Sequence, residues 1–174
     1  MVNKSISFNK EKFKQVLHFV VYKAGAIDNV GKTVLYKMMY FSDFDFYELY
    51  NSPITGESYV KLPHGPAPAH FDRTVEELEK EGVIREVKSS YHGLTQKKIV
   101  SLCEPKVEKL NGEEIKIIER VVARLANMNA SQVSAYSHED IPWKATEEGK
   151  EIDYELVFYR NQKHAVGQLA PSVC

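Results

Sequence analysis

The chain has 174 residues, 43% hydrophobic and 27% charged, with a formal net charge of -1. That length fits one domain with its own core, and the balanced charge excludes a nucleic-acid binder that works through bulk charge, leaving only a local basic patch. Two cysteines, Cys103 and Cys174, are too few for a disulfide framework and lack metal-ligand spacing.

No stretch approaches the roughly 20 apolar residues that span a bilayer. The opening "MVNKSISFNK" has no apolar core or cleavage signature of a signal peptide. A cytoplasmic protein without a membrane partner is expected. No internal repeat or low-complexity segment is present.

Phe13, Val16, Leu17, Val20 and Val21 recur at three- and four-residue steps and predict a first helix. Asn9 is its expected cap, Phe8 and Phe13 a hydrophobic staple, and Gly25 its terminator. A second helix is predicted from about Lys32 to Tyr50. Its apolar residues cover most of the circumference, as expected of a central helix. Asp43 and Asp45 interrupt it two positions apart, on different faces. One is expected buried and paired, the other facing solvent.

"NSPITG" breaks that helix, and "ESYVKL" reads as a short extended segment. "PHGPAP" then reads as a rigid corner: Pro63 and Pro66 fix their own backbones and restrict Leu62 and Gly65. Pro68 is expected to open a third helix, with Phe71, Val75 and Leu78 on its inner face. His64 is expected to point inward and hydrogen-bond the central helix, with Asp43 the first candidate. "EGVIREV" and "LTQKKIVSL" predict a hairpin turning near Tyr91 to Gly93.

A fourth helix is predicted in "EEIKIIERVVARLAN", with Ile115, Ile118, Val122 and Leu125 inward. "SQVSAYSHEDIPW" predicts a short helix turning at Pro142, and "EIDYELVFYR" a late helix. The fold class is α+β: one mostly helical domain over residues 1–162 with a central β-hairpin, in a winged-helix-like order of helix then hairpin. A mobile tail is expected over 163–174.

No catalytic constellation emerges. His64, His138, Asp43 and Asp45 lack the spacing of a metal or acid–base motif. Cys103 lies in an apolar run and reads as an inert core thiol. Neither Ser42 nor Ser137 sits in a nucleophile elbow. "GAIDNVGKT" lacks the spacing of a phosphate loop. Lys10, Lys12, Lys14 and Lys23, with Arg85, Lys88, Lys97 and Lys98 at the hairpin, would suit a wing gripping phosphates. The acids of "EELEKE" on the third helix oppose that. Trp143 and Tyr136 flank "SHEDIP" as core residues or partner anchors.

Two segments, "VLYKMMYFSDFDFYELYNSPITGESYVKLPHGPAP" and "SAYSHEDIPWKATEEGKEIDYELVFYR", resemble the Panacea domain of SocA-like, phage-associated antitoxins. The resemblance runs from about Leu17 to Tyr159. It rests on "MMYFSDF", on the pattern ITG..Y....HGP.P and on SH....W. Asn51 replaces a glycine common at that helix end, a mild change because asparagine tolerates a left-handed backbone.

The resemblance implies a non-enzymatic antitoxin without cofactor that binds a toxin encoded nearby. The SocA-type member instead hands its toxin to an ATP-dependent protease. The motif residues Asp43, Thr55, Gly56, Tyr59, His64, Gly65, Pro66, Ser137, His138 and Trp143 become structural or partner-binding candidates. A winged-helix DNA-binding regulator and a small metal-dependent enzyme are the alternatives.

Overall fold

A computed structural model describes residues 5–167 and places seven helices and two antiparallel hairpins among them. The α+β, mostly helical reading holds. Helix α1 (Lys10–Ala24) starts where expected: Asn9 accepts the Lys12 N–H, and the Phe8 and Phe13 rings meet edge-on at 5.5 Å. Its predicted inner residues are all buried, each contributing roughly 1.5–3 kcal/mol of burial. Gly25 caps it, but with an ordinary right-handed φ of -59°. Close approach is what needs glycine there, since a Cβ would overlap the Ile99 carbonyl.

Helix α2 (Lys32–Tyr50) is the central element, packed against α1, and ends with Asn51 at φ 55°. Both Asp43 and Asp45 are buried, which corrects the expectation that one faces solvent. The middle of α2, from Lys37 to Tyr47, is buried at every position and has no solvent face to offer.

The "PHGPAP" corner is a hairpin. Strand β1 (Tyr59–Leu62) pairs with β2 (Gly65–Pro68) through a two-residue turn, Pro63–His64, in the register Leu62↔Gly65 to Tyr59↔Pro68. A proline-rich strand is tolerated because Pro66 and Pro68 alternate, occupying the pairs where an antiparallel ladder needs no N–H. Pro68 therefore closes β2 and does not open a helix; α3 (Phe71–Lys80) begins three residues later. Phe71, Val75 and Leu78 line its buried side as expected.

Strands β3 (Ile84–Tyr91) and β4 (Leu94–Ser101) form the second hairpin, turning at His92–Gly93 with φ positive at both residues, as a two-residue turn requires. Cys103 lies past the end of β4 and is exposed, not a core thiol. Cys174 lies outside the described residues.

Helix α4 (Gly112–Leu125) carries a full capping box from Asn111 and Glu114. Ile118, Val122 and Leu125 face inward, while Ile117 and Val121 take the place expected of Ile115, which is half-buried. Helix α5 (Ala130–His138) is capped by Asn129. The chain turns at Glu139–Asp140, before Pro142, which sits in the first turn of α6 (Ile141–Lys144). The late segment is a 3-10 helix, Tyr154–Tyr159.

His164 is buried against Phe41 and Tyr136, and the Val166 N–H donates to Glu48 at 2.7 Å. Residues 168–174 lie outside the described residues. No described helix is long and apolar enough to cross a membrane.

Candidate functional site

The motif residues separate into two groups beside α2. The first lies around Asp43, 1% exposed. Its Oδ1 accepts the Thr55 N–H at 2.7 Å, and its Oδ2 accepts the Thr55 hydroxyl at 2.6 Å. The Tyr59 hydroxyl stands 2.6 Å from Asp43 Oδ2 and 2.9 Å from the Met39 carbonyl. One phenolic proton cannot satisfy both acceptors. The hydroxyl donates to Asp43 Oδ2, the nearer acceptor, and leaves the Met39 carbonyl a weaker share. Burial pushes the Asp43 pKa up to about 6, opposed by its hydrogen bonds from Thr55 and Tyr59.

Gly56 belongs with this group: at φ 74° it lies so close to Ser7 that a side chain would overlap the Ser7 carbonyl. Beside it, Glu57 is fully buried, accepting from the backbone N–H groups of Ser58 and His70 and pairing with the His70 ring at 2.6 Å. Asp43, Thr55, Gly56 and Tyr59 thus fasten the "ITGESY" segment to α2.

A second buried network adjoins the first. Arg160 grips Asp140 with two parallel bonds, at 2.9 and 2.8 Å, and reaches Asp45 at 2.8 Å and Glu48 at 3.3 Å. Arg124 pairs with the other Asp45 oxygen at 2.8 Å, and the Tyr40 hydroxyl donates to Asp140 at 2.9 Å. The bidentate geometry is what makes such a buried cluster tolerable. It ties the 3-10 segment and α5–α6 to the centre of α2. Burial of the guanidinium is outweighed by Asp45 and Asp140, which hold its pKa well above the ordinary value.

The other motif residues converge elsewhere. The "HGP" turn and the "SH....W" segment meet across a groove of about 490 Å³ between the start of α2, the β1–β2 turn and α5. His64 stands at the turn tip, exposed, and is not bonded to Asp43. The expectation fails for a geometric reason: a two-residue turn throws its second residue outward, away from the helix that β1 and β2 pack on.

Gly65 is conformationally required, with φ 112°, and sterically required too. A Cβ there would fall 2.6 Å from Lys37 Cε and closer still to Ser137 Oγ. The Pro66 carbonyl accepts from Lys37 Nζ at 3.1 Å. Ser137 is buried and donates to the Ser134 carbonyl at 2.9 Å.

The His138 ring stacks on Trp143 with centroids 4.2 Å apart, and Lys61 Nζ lies 4.0 Å above the indole. Trp143 is half-buried, and its indole N–H donates to the Leu62 carbonyl at 3.3 Å. Burial lowers the His138 pKa; the Pro63 carbonyl opposes this, and Lys37, His64 and Lys61 add to the lowering. No carboxylate contributes.

Lys37, Glu57, Asp140 and Arg160 escaped the sequence reading. For Lys37 a signal existed, because a lysine inside "VLYKMMYF" interrupts a helix that is apolar all round. Among the described residues, no group of three or more His, Cys, Asp or Glu side chains could hold a metal ion.

A family model described as "Antitoxin SocA-like, Panacea domain" matches residues 35–144, well over half of the chain. No curated protein and no solved structure matches it.

Proposed function

The chain belongs to the SocA-like antitoxin family that carries the Panacea domain, and from that premise we propose that it neutralises a protein toxin in the cytoplasm by binding it directly, without catalysis. The observation that carries this reading is the meeting of "HGP" and "SHEDIPW" across one groove. Two distant parts of the signature come together there, through an exposed His64 and a half-buried His138 whose ring stacks on Trp143. Residues kept only for the fold would have no need of an exposed side chain at a turn tip.

Co-expression with each adjacent gene tests the reading. One neighbour should arrest growth alone, be tolerated when this protein is present, and co-purify with it. If no neighbour is toxic, or a toxic one is neither bound nor neutralised, the reading falls. Immunoblots of the toxin separate sequestration, which leaves its level unchanged, from delivery to an ATP-dependent protease, which lowers it.

A winged-helix DNA regulator has less to rest on. Lys10, Lys12 and Lys14 are ion-paired with Glu77, Glu114 and Glu81. Lys98 is buried, donating to the carbonyls of Ile27 and Val30. Phosphate binding needs exposed, uncommitted cations, and of these eight basic residues only Lys23, on α1 away from the hairpin, and part of the hairpin set remain.

A further inference from the structure

Among the buried ionisable groups of α2, Asp43 lacks an opposite charge but makes three hydrogen bonds, whereas Lys37 has a single one. It is 1% exposed, donates one hydrogen bond to the Pro66 carbonyl, and has no carboxylate partner among the described residues. A lysine ammonium carries three donors, and a buried charge ordinarily has a counter-ion. Burial alone lowers its pKa to about 8, so it keeps most of its charge at pH 7.

The groove beside it is lined by Thr33, one helical turn before Lys37, by His64 and His138, and by Ser131 and Ser134 of α5. His138 Nε2 is buried there without a hydrogen-bond partner. Lys61 adds a further cation on the far side of Trp143. The start of α5 brings its positive dipole end to the same place. Low-dielectric surroundings weaken the screening of such a field.

We propose that this groove is the contact site for the toxin and takes a carboxylate from it, an aspartate, a glutamate or the chain terminus. The inference rests on the antitoxin reading above and adds the chemistry of the contact. The anion is held by the hydroxyls of Thr33, Ser131 and Ser134 and by the two imidazoles, with Lys37 behind the groove wall as its counter-charge. As it enters, His138 takes up one proton from the buffered solvent and becomes a donor.

The pocket suits a protein side chain better than a nucleic acid. Ala130 and Ala135 add apolar surface to it, and no lysine or arginine is among its lining residues. Nucleic acids are gripped by exposed cations along a track.

The test compares wild type with Lys37→Met and His138→Phe, with exposed Lys116→Met on α4 as the control. Each is assayed for capture and neutralisation of the neighbouring toxin. The expected result is a tenfold or greater loss of toxin affinity in Lys37→Met and His138→Phe, with unchanged melting temperature in Lys37→Met and unchanged binding in Lys116→Met. In the wild type, titration with glutarate should shift the His64 and His138 ring resonances, while dimethyl glutarate should not.

Toxin bound equally by wild type, Lys37→Met and His138→Phe overturns this inference and leaves the antitoxin reading standing. So does a groove that responds to a 20-nucleotide DNA but not to glutarate. A wild type that binds no neighbouring gene product removes both.

Discussion

The two ends of α2 treat buried charge in opposite ways. Toward its C-terminus, Asp45 and Glu48 are matched by Arg124 and Arg160, and Asp140 completes a cluster in which opposite charges meet at hydrogen-bond distance. Toward its N-terminus, Lys37 is buried with one carbonyl and no opposite charge among the described residues. A paired network closes the fold on itself. A lone buried cation leaves the fold incomplete, and what lies beside it is an open groove carrying both parts of the family signature.

The largest effect should come from breaking the paired end. Arg160→Met leaves Asp45, Asp140 and Glu48 buried without their main counter-charge, and should cost about 3–5 kcal/mol in urea unfolding. Gly65→Ala acts at the other end. It forces a side chain into a backbone at φ 112° and into Lys37 and Ser137, and should cost about 2–4 kcal/mol.

Asp43 gives a pH-dependent test between the two ends. Its folded pKa of about 6 is raised above the ordinary carboxylate value, so the folded protein holds the proton harder than the unfolded chain. The stabilisation is fully present below about pH 4 and is lost as pH rises through about 6. Relative to Asp43→Asn, wild type should therefore lose about 2 kcal/mol of stability between about pH 4 and pH 7. A pH-independent difference would show that Asp43 stays ionised. The smallest effect belongs to His64→Ala, which should change stability by under about 0.5 kcal/mol while weakening toxin binding. A large loss of stability would mean that His64 belongs to the fold.

The sequence was most legible where structure is local. The periodic residues of α1 and α2, the capping of α1 by Asn9 and the β3–β4 hairpin follow from neighbours within a few positions. It was least legible where charges meet across the chain. Arg160 joins Asp45 over 115 residues, and nothing in "VFYR" announces that partner. The expectation that one of Asp43 and Asp45 faces solvent failed for this reason: the arginines that make burial of Asp45 tolerable come from α4 and the C-terminal segment.

The prolines of "PHGPAP" misled in another way. They read as stiffness, and the stiffness is real, but their alternate spacing makes them compatible with a strand. The two-residue turn then sends His64 outward, where an inward histidine was expected. The candidate residues themselves were recognisable as a set; their division into a fastening group and a groove group needed the fold.

The central claim is that the two buried charges serve different ends, and it is tested most directly by urea unfolding of Arg160→Met and Lys37→Met side by side. Arg160→Met should lose several kcal/mol. Lys37→Met should stay within about 1 kcal/mol of wild type or gain, because removing an uncompensated buried charge offsets the one hydrogen bond lost at Pro66. A Lys37→Met protein destabilised as much as Arg160→Met would contradict the account, and would make Lys37 another structural ion of the core.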